Sequence, residues 1–258
     1  MADRVSTYYG QSPTIVNTLS IIFQGLFVLF TFPSTYVIDI YGSRTGVFIG
    51  TFLNTLGMGI KILINKGFWI SIVGQILCGI AQPFLVNAPA KMAATWFAAS
   101  ERLTALTLCV TAVIIGAAIG FIFPVFFITD EDEGETFKHN VMMSLIAQAI
   151  IGAVITILTF IFFKSKPKSP PSSSAFDRID EAGIFTRSIK ETFTNKDFMF
   201  LFLTFLMVLG AFNTLATIVA YLCQVWDYSD TEASLFGGMF IFGGILGSVL
   251  FGIFVEKT

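Results

Sequence analysis

Charge is what this sequence has least of. Only 12% of its 258 residues are Asp, Glu, Lys or Arg, against 55% hydrophobic, and mean hydropathy is +0.80. A soluble domain carries roughly a quarter of its residues as charges, so the shortage excludes one and makes lipid the main solvent. Histidine is scarcer still. His139 stands alone, which leaves no raw material for a zinc site or a Ser-His-Asp triad. Cys78, Cys109 and Cys223 lie inside apolar runs without CxxC spacing and read as small buried hydrophobes. A net charge of −2 without a dense basic patch argues against a nucleic-acid partner. The sequence shows no nucleophile–base pair, metal-ligand cluster or GxxxxGK[ST] phosphate loop, so no catalytic residue, metal or cofactor is expected. Nor does it open like a cleavable signal peptide. Thirteen mostly polar residues lead into a run too long for a leader's apolar core, and the first span is expected to direct its own insertion.

What is abundant is phenylalanine, with 30 copies, and long apolar runs. The phenylalanines read as lipid contact and helix packing rather than as an aromatic ligand box. A bilayer core needs about 20 apolar helical residues. Seven stretches qualify, near 14–38, 45–65, 68–90, 103–128, 141–163, 198–224 and 233–255. Only one connection between them is long. Residues 164–197, "KSKPKSPPSSSAFDRIDEAGIFTRSIKETFTNKD", form a charged, Pro/Ser-rich linker that divides the array into five spans and two. Within it Phe185, Ile189 and Phe193 recur every four residues, which predicts a short interfacial helix.

Basic residues orient the array. Eleven (Arg44, Lys91, Arg102, Lys164, Lys166, Lys168, Arg178, Arg187, Lys190, Lys196 and Lys257) fall on one side, and Arg4, Lys61, Lys66 and Lys138 on the other. This predicts a cytosolic linker and C-terminus, an outside N-terminus, and an outward-facing acidic stretch "TDEDEGET" at 129–136.

Seven spans in that orientation also outline a heptahelical receptor. That reading lacks its usual marks: no Asp-Arg-Tyr ends the third span, no Asn-Pro-x-x-Tyr sits in the seventh, and no retinal-bearing lysine is present. The cytosolic ends of the first and last spans point elsewhere. The first ends "TYVIDIYGSRTG", with Asp39, Gly42 and Arg44, and the last ends "GIFVEKT", with Gly252, Glu256 and Lys257. Both fit G-x-x-x-[DE]-[RK]-x-G-[RK]-[RK] in part. A small residue permits close helix approach, the acid meets a neighbouring base or dipole, and the glycine turn presents the arginine.

This arrangement resembles the loop signature of the major facilitator superfamily, found after its second and eighth helices. The resemblance implies an all-α membrane protein, a major facilitator superfamily-like helical bundle with seven of twelve helices present. It implies helices two to six over 1–163, the linker over 164–197, and helices seven and eight over 198–258, in a chain that covers part of the whole. Asp39, Gly42, Arg44, Lys91, Gly252, Glu256 and Lys257 are then expected to form a conformational latch, with Lys91 either pairing with Asp39 or anchoring at the interface.

Further stretches are similar to the feline leukemia virus subgroup C receptor-related family: "NTLGMGIK", "GQILCGIAQPF" followed by Pro89 and "ATWF", "GAAIGFIFP", "GAFNTLAT" and "GGILGSVLFG". That resemblance implies an alternating-access solute carrier in the plasma membrane, associated with choline, ethanolamine or haem. As aligned, the family's cavity glutamine in helix five falls on Ile114, its helix-seven tyrosine on Asn213, a helix-two methionine on Gln24, and a later helix-seven glutamine on Tyr221.

Among polar residues within spans, Gln24, Asn54, Gln75, Gln82, Asn87, Gln148, Asn213 and Tyr221 are expected mainly to make interhelical hydrogen bonds. Gln24, Asn213, Tyr221 and Gln224 are the candidate cavity residues. Spacings of four at Gly116/Gly120 and Gly243/Gly247 predict close helix packing. Lys61 is expected to snorkel to the outer interface. No Asp or Glu lies mid-span, which favours facilitated over proton-coupled movement. The alternatives are a receptor-like protein and a non-transporting fragment of a transporter gene.

Overall fold

The structure is a computed structural model that describes residues 2–167, 192–226 and 228–256. Every regular element among these residues is helical: α1 (Ala2–Tyr9), α2 (Pro13–Tyr41), α3 (Ser43–Lys61) with a 3₁₀ extension Ile62–Lys66, α4 (Phe68–Trp96), α5 (Arg102–Ile122) with a 3₁₀ turn Phe123–Phe126, α6 (Gly134–Phe162), α7 (Lys196–Gln224) and α8 (Asp230–Glu256). Among the described residues six helices, α2 to α7, are long and apolar enough to cross a bilayer, and α8 contributes a shorter apolar stretch, Thr231–Gly247. The chain is an all-α, multi-pass integral membrane protein. Six clear spans stand where the hydropathy pattern predicts seven. The interfacial helix expected around Phe185 and Ile189 lies outside the described residues. Phe193 is described, and packs edge-on against Phe198 and Phe202 at centroid distances of 6.5 and 6.1 Å.

Local chemistry starts the helices where the sequence allows. Ser12 caps α2 by accepting from the Ile15 amide (3.4 Å), with Pro13 at the first helical position, where its missing N–H costs nothing. Asn195 Oδ1 accepts from the amides of Asp197 and Phe198 ahead of α7. Ser229 and Glu232 form a reciprocal capping box at the start of α8: each backbone amide donates to the other's side chain, at 2.9 and 3.2 Å.

Two compact units divide the chain: Met1–Cys109 with Glu131–Ile179, and Val110–Asp130 with Asp180–Thr258. In the first, α4 is the hub, with α2 and α3 both packed along it and α6 behind α3. Small residues make that packing close. A Cβ on Gly79 would meet Leu26 at 3.0 Å, and one on Gly50 would meet Leu85 at 2.8 Å. Thr55 and Thr156 share a 2.9 Å hydroxyl bond between α3 and α6. In the second unit Phe212 stacks on Phe240 (5.6 Å), and Gly237 and Gly238 lie under Phe121 and Ile122.

These glycines are not the ones the spacing singles out. A Cβ at Gly116, Gly120, Gly243 or Gly247 would meet no atom within 4 Å among the described residues. A four-residue repeat places two glycines on one face of a helix. It does not say which face a neighbour will choose.

The end of the first unit that carries α1 is also tied down. Arg4 donates to the Asp132 carbonyl and lies 4.6 Å over the fully buried Phe137 ring. The Tyr9 hydroxyl donates to Asn65 Oδ1 at 2.7 Å.

Candidate functional site

The turn between α2 and α3 begins with an ion pair. Lys91 Nζ on α4 lies 3.3 Å from Asp39 Oδ1 on α2, both side chains about one-third exposed. Three residues on, Gly42 breaks the helix with φ +88°, a left-handed conformation that favours glycine. Ser165 crosses above it, 3.2 Å from where a Cβ would stand. Arg44 then donates to the Phe160 carbonyl at 3.0 Å. That carbonyl belongs to the last turn of α6, where four C=O groups have no intrahelical donor and the helix dipole is negative. Asp39, Gly42 and Arg44 therefore join α2, α4, α3 and α6 at one corner. The corner is tight: a Cβ on Gly46 would overlap Ile38, itself 2% exposed. Ser43 Oγ is buried inside it without a hydrogen-bond partner among the described residues.

Above the ion pair sits a second polar group. Asn87 Nδ2 on α4 donates towards Ser34 Oγ (3.1 Å), Thr35 Oγ1 (3.1 Å) and the Thr31 carbonyl (3.4 Å) on α2. The Ser34 and Thr35 hydroxyls donate in turn to that carbonyl, each at 2.9 Å. Pro33 lies inside this turn of α2 and Pro89 inside α4. Each proline removes one rung of its helix's ladder.

Lys61, expected to snorkel outward, ends α3 with a protein partner: its ammonium donates to Gln75 Oε1 on α4. The reason is local: Gly74, one residue before Gln75, brings the two backbones close enough for the lysine stem to lie along α4. The other polar span residues divide. Asn54 contacts Met58 Sδ (3.9 Å), Gln148 bonds to Ser144 (3.4 Å) and Asn213 donates to the Leu209 carbonyl (2.9 Å), all within their own helices. Gln24 is exposed on α2 and forms no hydrogen bond among the described residues. Gln82 Oε1 is buried and has no hydrogen-bond partner among the described residues.

Tyr221 and Gln224 belong to α7, and Gly252 and Glu256 to the last turns of α8. Their side chains, and Lys257 entirely, lie outside the described residues. Cys78, Cys109 and Cys223 are free thiols, and no group of three His, Cys, Asp or Glu suited to a metal occurs among the described residues.

An acid, a positive-φ glycine and an arginine at one end of a helical hairpin, inside a bundle of long apolar helices, agree with the sequence comparison. The family model described as Major Facilitator Superfamily matches residues 2–258. The chain belongs to the major facilitator superfamily. That superfamily consists of transport proteins rather than enzymes, and membership replaces the heptahelical receptor reading.

Among curated relatives, the chain is 30% identical over 261 residues to "Choline/ethanolamine transporter FLVCR1" of Felis catus, covering 97% of this chain and 46% of that protein. It is 29% identical over 258 residues to "Choline/ethanolamine transporter FLVCR2" of Homo sapiens, covering 97% and 49%. A third relative, "Uncharacterized MFS-type transporter C09D4.1" of Caenorhabditis elegans, is 29% identical over 264 residues, covering 100% and 45%. The chain spans about half the length of these facilitator-superfamily relatives.

Proposed function

We propose that this facilitator-superfamily chain serves a carrier that moves a small organic amine of the choline or ethanolamine kind across the plasma membrane by alternating access. The observation that carries the reading is similarity over nearly the whole chain to two proteins named as choline/ethanolamine transporters. In this reading α2 to α8 are seven consecutive helices of a twelve-helix carrier. Residues 1–163 belong to one half, 164–197 to a cytosolic linker, and 198–258 to the start of the other.

Gln24 on α2 and Asn213, Tyr221 and Gln224 on α7 would line the solute cavity. A quaternary or primary amine needs neutral acceptors and aromatic faces more than it needs a full counter-charge. The spans carry no Asp or Glu at mid-membrane, which supports movement down the amine's own gradient without a coupled proton.

The Asp39–Lys91 pair, the Gly42 turn and Arg44 would form the latch of the cytosolic face, with Gly252, Glu256 and Lys257 as its counterpart. A latch of this kind works by having two discrete pairings, each stable in one state of the carrier.

The test is uptake of radiolabelled choline, then ethanolamine, by cells expressing the full-length protein. Saturable uptake that survives collapse of the proton gradient is expected, with Gln24→Ala raising KM. Uptake no greater than in untransfected cells for both amines, with the protein at the surface, would overturn the substrate assignment. Haem efflux in the same cells provides the competing outcome.

A further inference from the structure

Asn87 and Lys91 are four residues apart on α4, and Thr35 and Asp39 are four apart on α2. Residues at that spacing share one face of a helix. The two helices therefore meet in two tiers on the same faces, with Asn87 on Ser34 and Thr35 in one tier and Lys91 on Asp39 in the next.

The tiers differ in strength for a physical reason. The ion pair is about one-third exposed on each side, so water and salt weaken it and it cannot by itself hold two long helices in register. The amide tier is shielded, with Ser34 fully buried. Its chemistry is also one-sided. The Ser34 and Thr35 hydroxyls spend their hydrogens on the Thr31 carbonyl, so their lone pairs are what face Asn87. Three acceptors converge on one NH2 group, and only a donor fits there.

The position matters as much as the chemistry. Pro33 interrupts α2 inside this turn, and Pro89 interrupts α4 two residues beyond Asn87. Both helices are thus most easily bent beside the tie. Without it, Asp39 and Lys91 would sit on segments free to swing separately about two proline turns.

We propose that Asn87 is a positioning residue for the latch: by tying the Pro33 turn of α2 to α4, it holds Lys91 on Asp39. The proposal rests on reading Asp39 and Lys91 as latch residues.

The experiment is a double-mutant cycle on the purified full-length protein in detergent, with melting temperature read across a salt series. The variants are Asn87→Leu, Lys91→Met and their combination. The expected result is that each single substitution lowers Tm and the double falls no further than Asn87→Leu alone. The salt-dependent part of Tm, present in the wild type, is lost in Asn87→Leu although both charges remain. Additive Tm losses with the salt dependence intact in Asn87→Leu would overturn the proposal, because Asn87 would then be a local tie only. Should Asn87→Leu fail to fold, Thr35→Val removes one acceptor at nearly constant shape and enters the same cycle. The Tm cycle needs no substrate. A wild type that moves no amine therefore counts against the transport reading, while the cycle alone decides the role of Asn87. Where uptake is measurable, Asn87→Leu lowers Vmax and leaves KM unchanged.

Discussion

Gly57 and Gly74 oppose each other so closely across α3 and α4 that a Cβ on either would stand 2.6 Å from the other's carbonyl oxygen. Nothing flexible lies in between, so both helices must part to admit a methyl group. In a bilayer, where lipid tails are as apolar as leucine, helices associate through such close backbone packing rather than through hydrophobic burial. This contact sets the axis of the hub helix α4. It also directs Lys61 onto Gln75.

Gly57→Ala and Gly74→Ala should each destabilise the protein by about 1–3 kcal/mol, the usual cost of overpacking. Gly116→Ala and Gly243→Ala, with open space around them, should stay within about 0.5 kcal/mol of the wild type. Melting of the four variants in detergent checks the contrast. Equal losses at all four positions would mean that α5 and α8 pack on their glycine faces after all.

Asp39→Asn should leave the fold nearly intact, since an ion pair about one-third exposed contributes about 1 kcal/mol or less. The rate of solute movement should nevertheless fall several-fold at unchanged KM, the pattern of a lost conformational step rather than a lost binding contact. Paired measurements of surface expression and uptake separate the two effects.

Arg44→Met removes the donor on the Phe160 carbonyl and the cation at the negative end of α6. A loss of about 0.3–1 kcal/mol is expected, accompanied by faster amide hydrogen exchange in the last turn of α6. Exchange confined to α3 would show that Arg44 acts on its own helix only.

Tyr9 lies outside the spans, and its phenol is pushed up from the ordinary 10.0 to about 12, first by burial and second by the negative charge of Glu135. Between those values the folded protein keeps a proton that the unfolded chain has lost. The contribution of this group is therefore fully present below pH 10 and is lost as pH rises towards 12. Ultraviolet titration of the wild type against Tyr9→Phe should show the Tyr9 phenol ionising late. Tyr9→Phe should remove that step together with its share of the alkaline loss of stability.

Much of the architecture was legible without coordinates, because span length, helix caps and turn glycines are local properties. A run of about 20 apolar residues is long enough to cross a bilayer as one helix. The loop at Asp39, Gly42 and Arg44 could be picked out because its acid, glycine and base have fixed offsets in one short segment. What could not be read has a common cause. Lys61 was assigned to the interface from its place near a helix end, and Gly116, Gly120, Gly243 and Gly247 to helix contacts from their spacing alone. Both depend on which faces of two distant segments meet.

By itself, then, the sequence determined that this is a multi-pass helical membrane protein of the facilitator superfamily, with few charges and those concentrated at the helix ends. Hydropathy and short motifs suffice for that because they act over one helix at a time. The tertiary structure decided which glycines touch, where Lys61 finds its acceptor, and that Asn87 stands one turn from Lys91 facing the acceptors of Ser34 and Thr35. A period of 3.6 residues gives every helix several possible faces. Only the close approach of two backbones selects the one that is used.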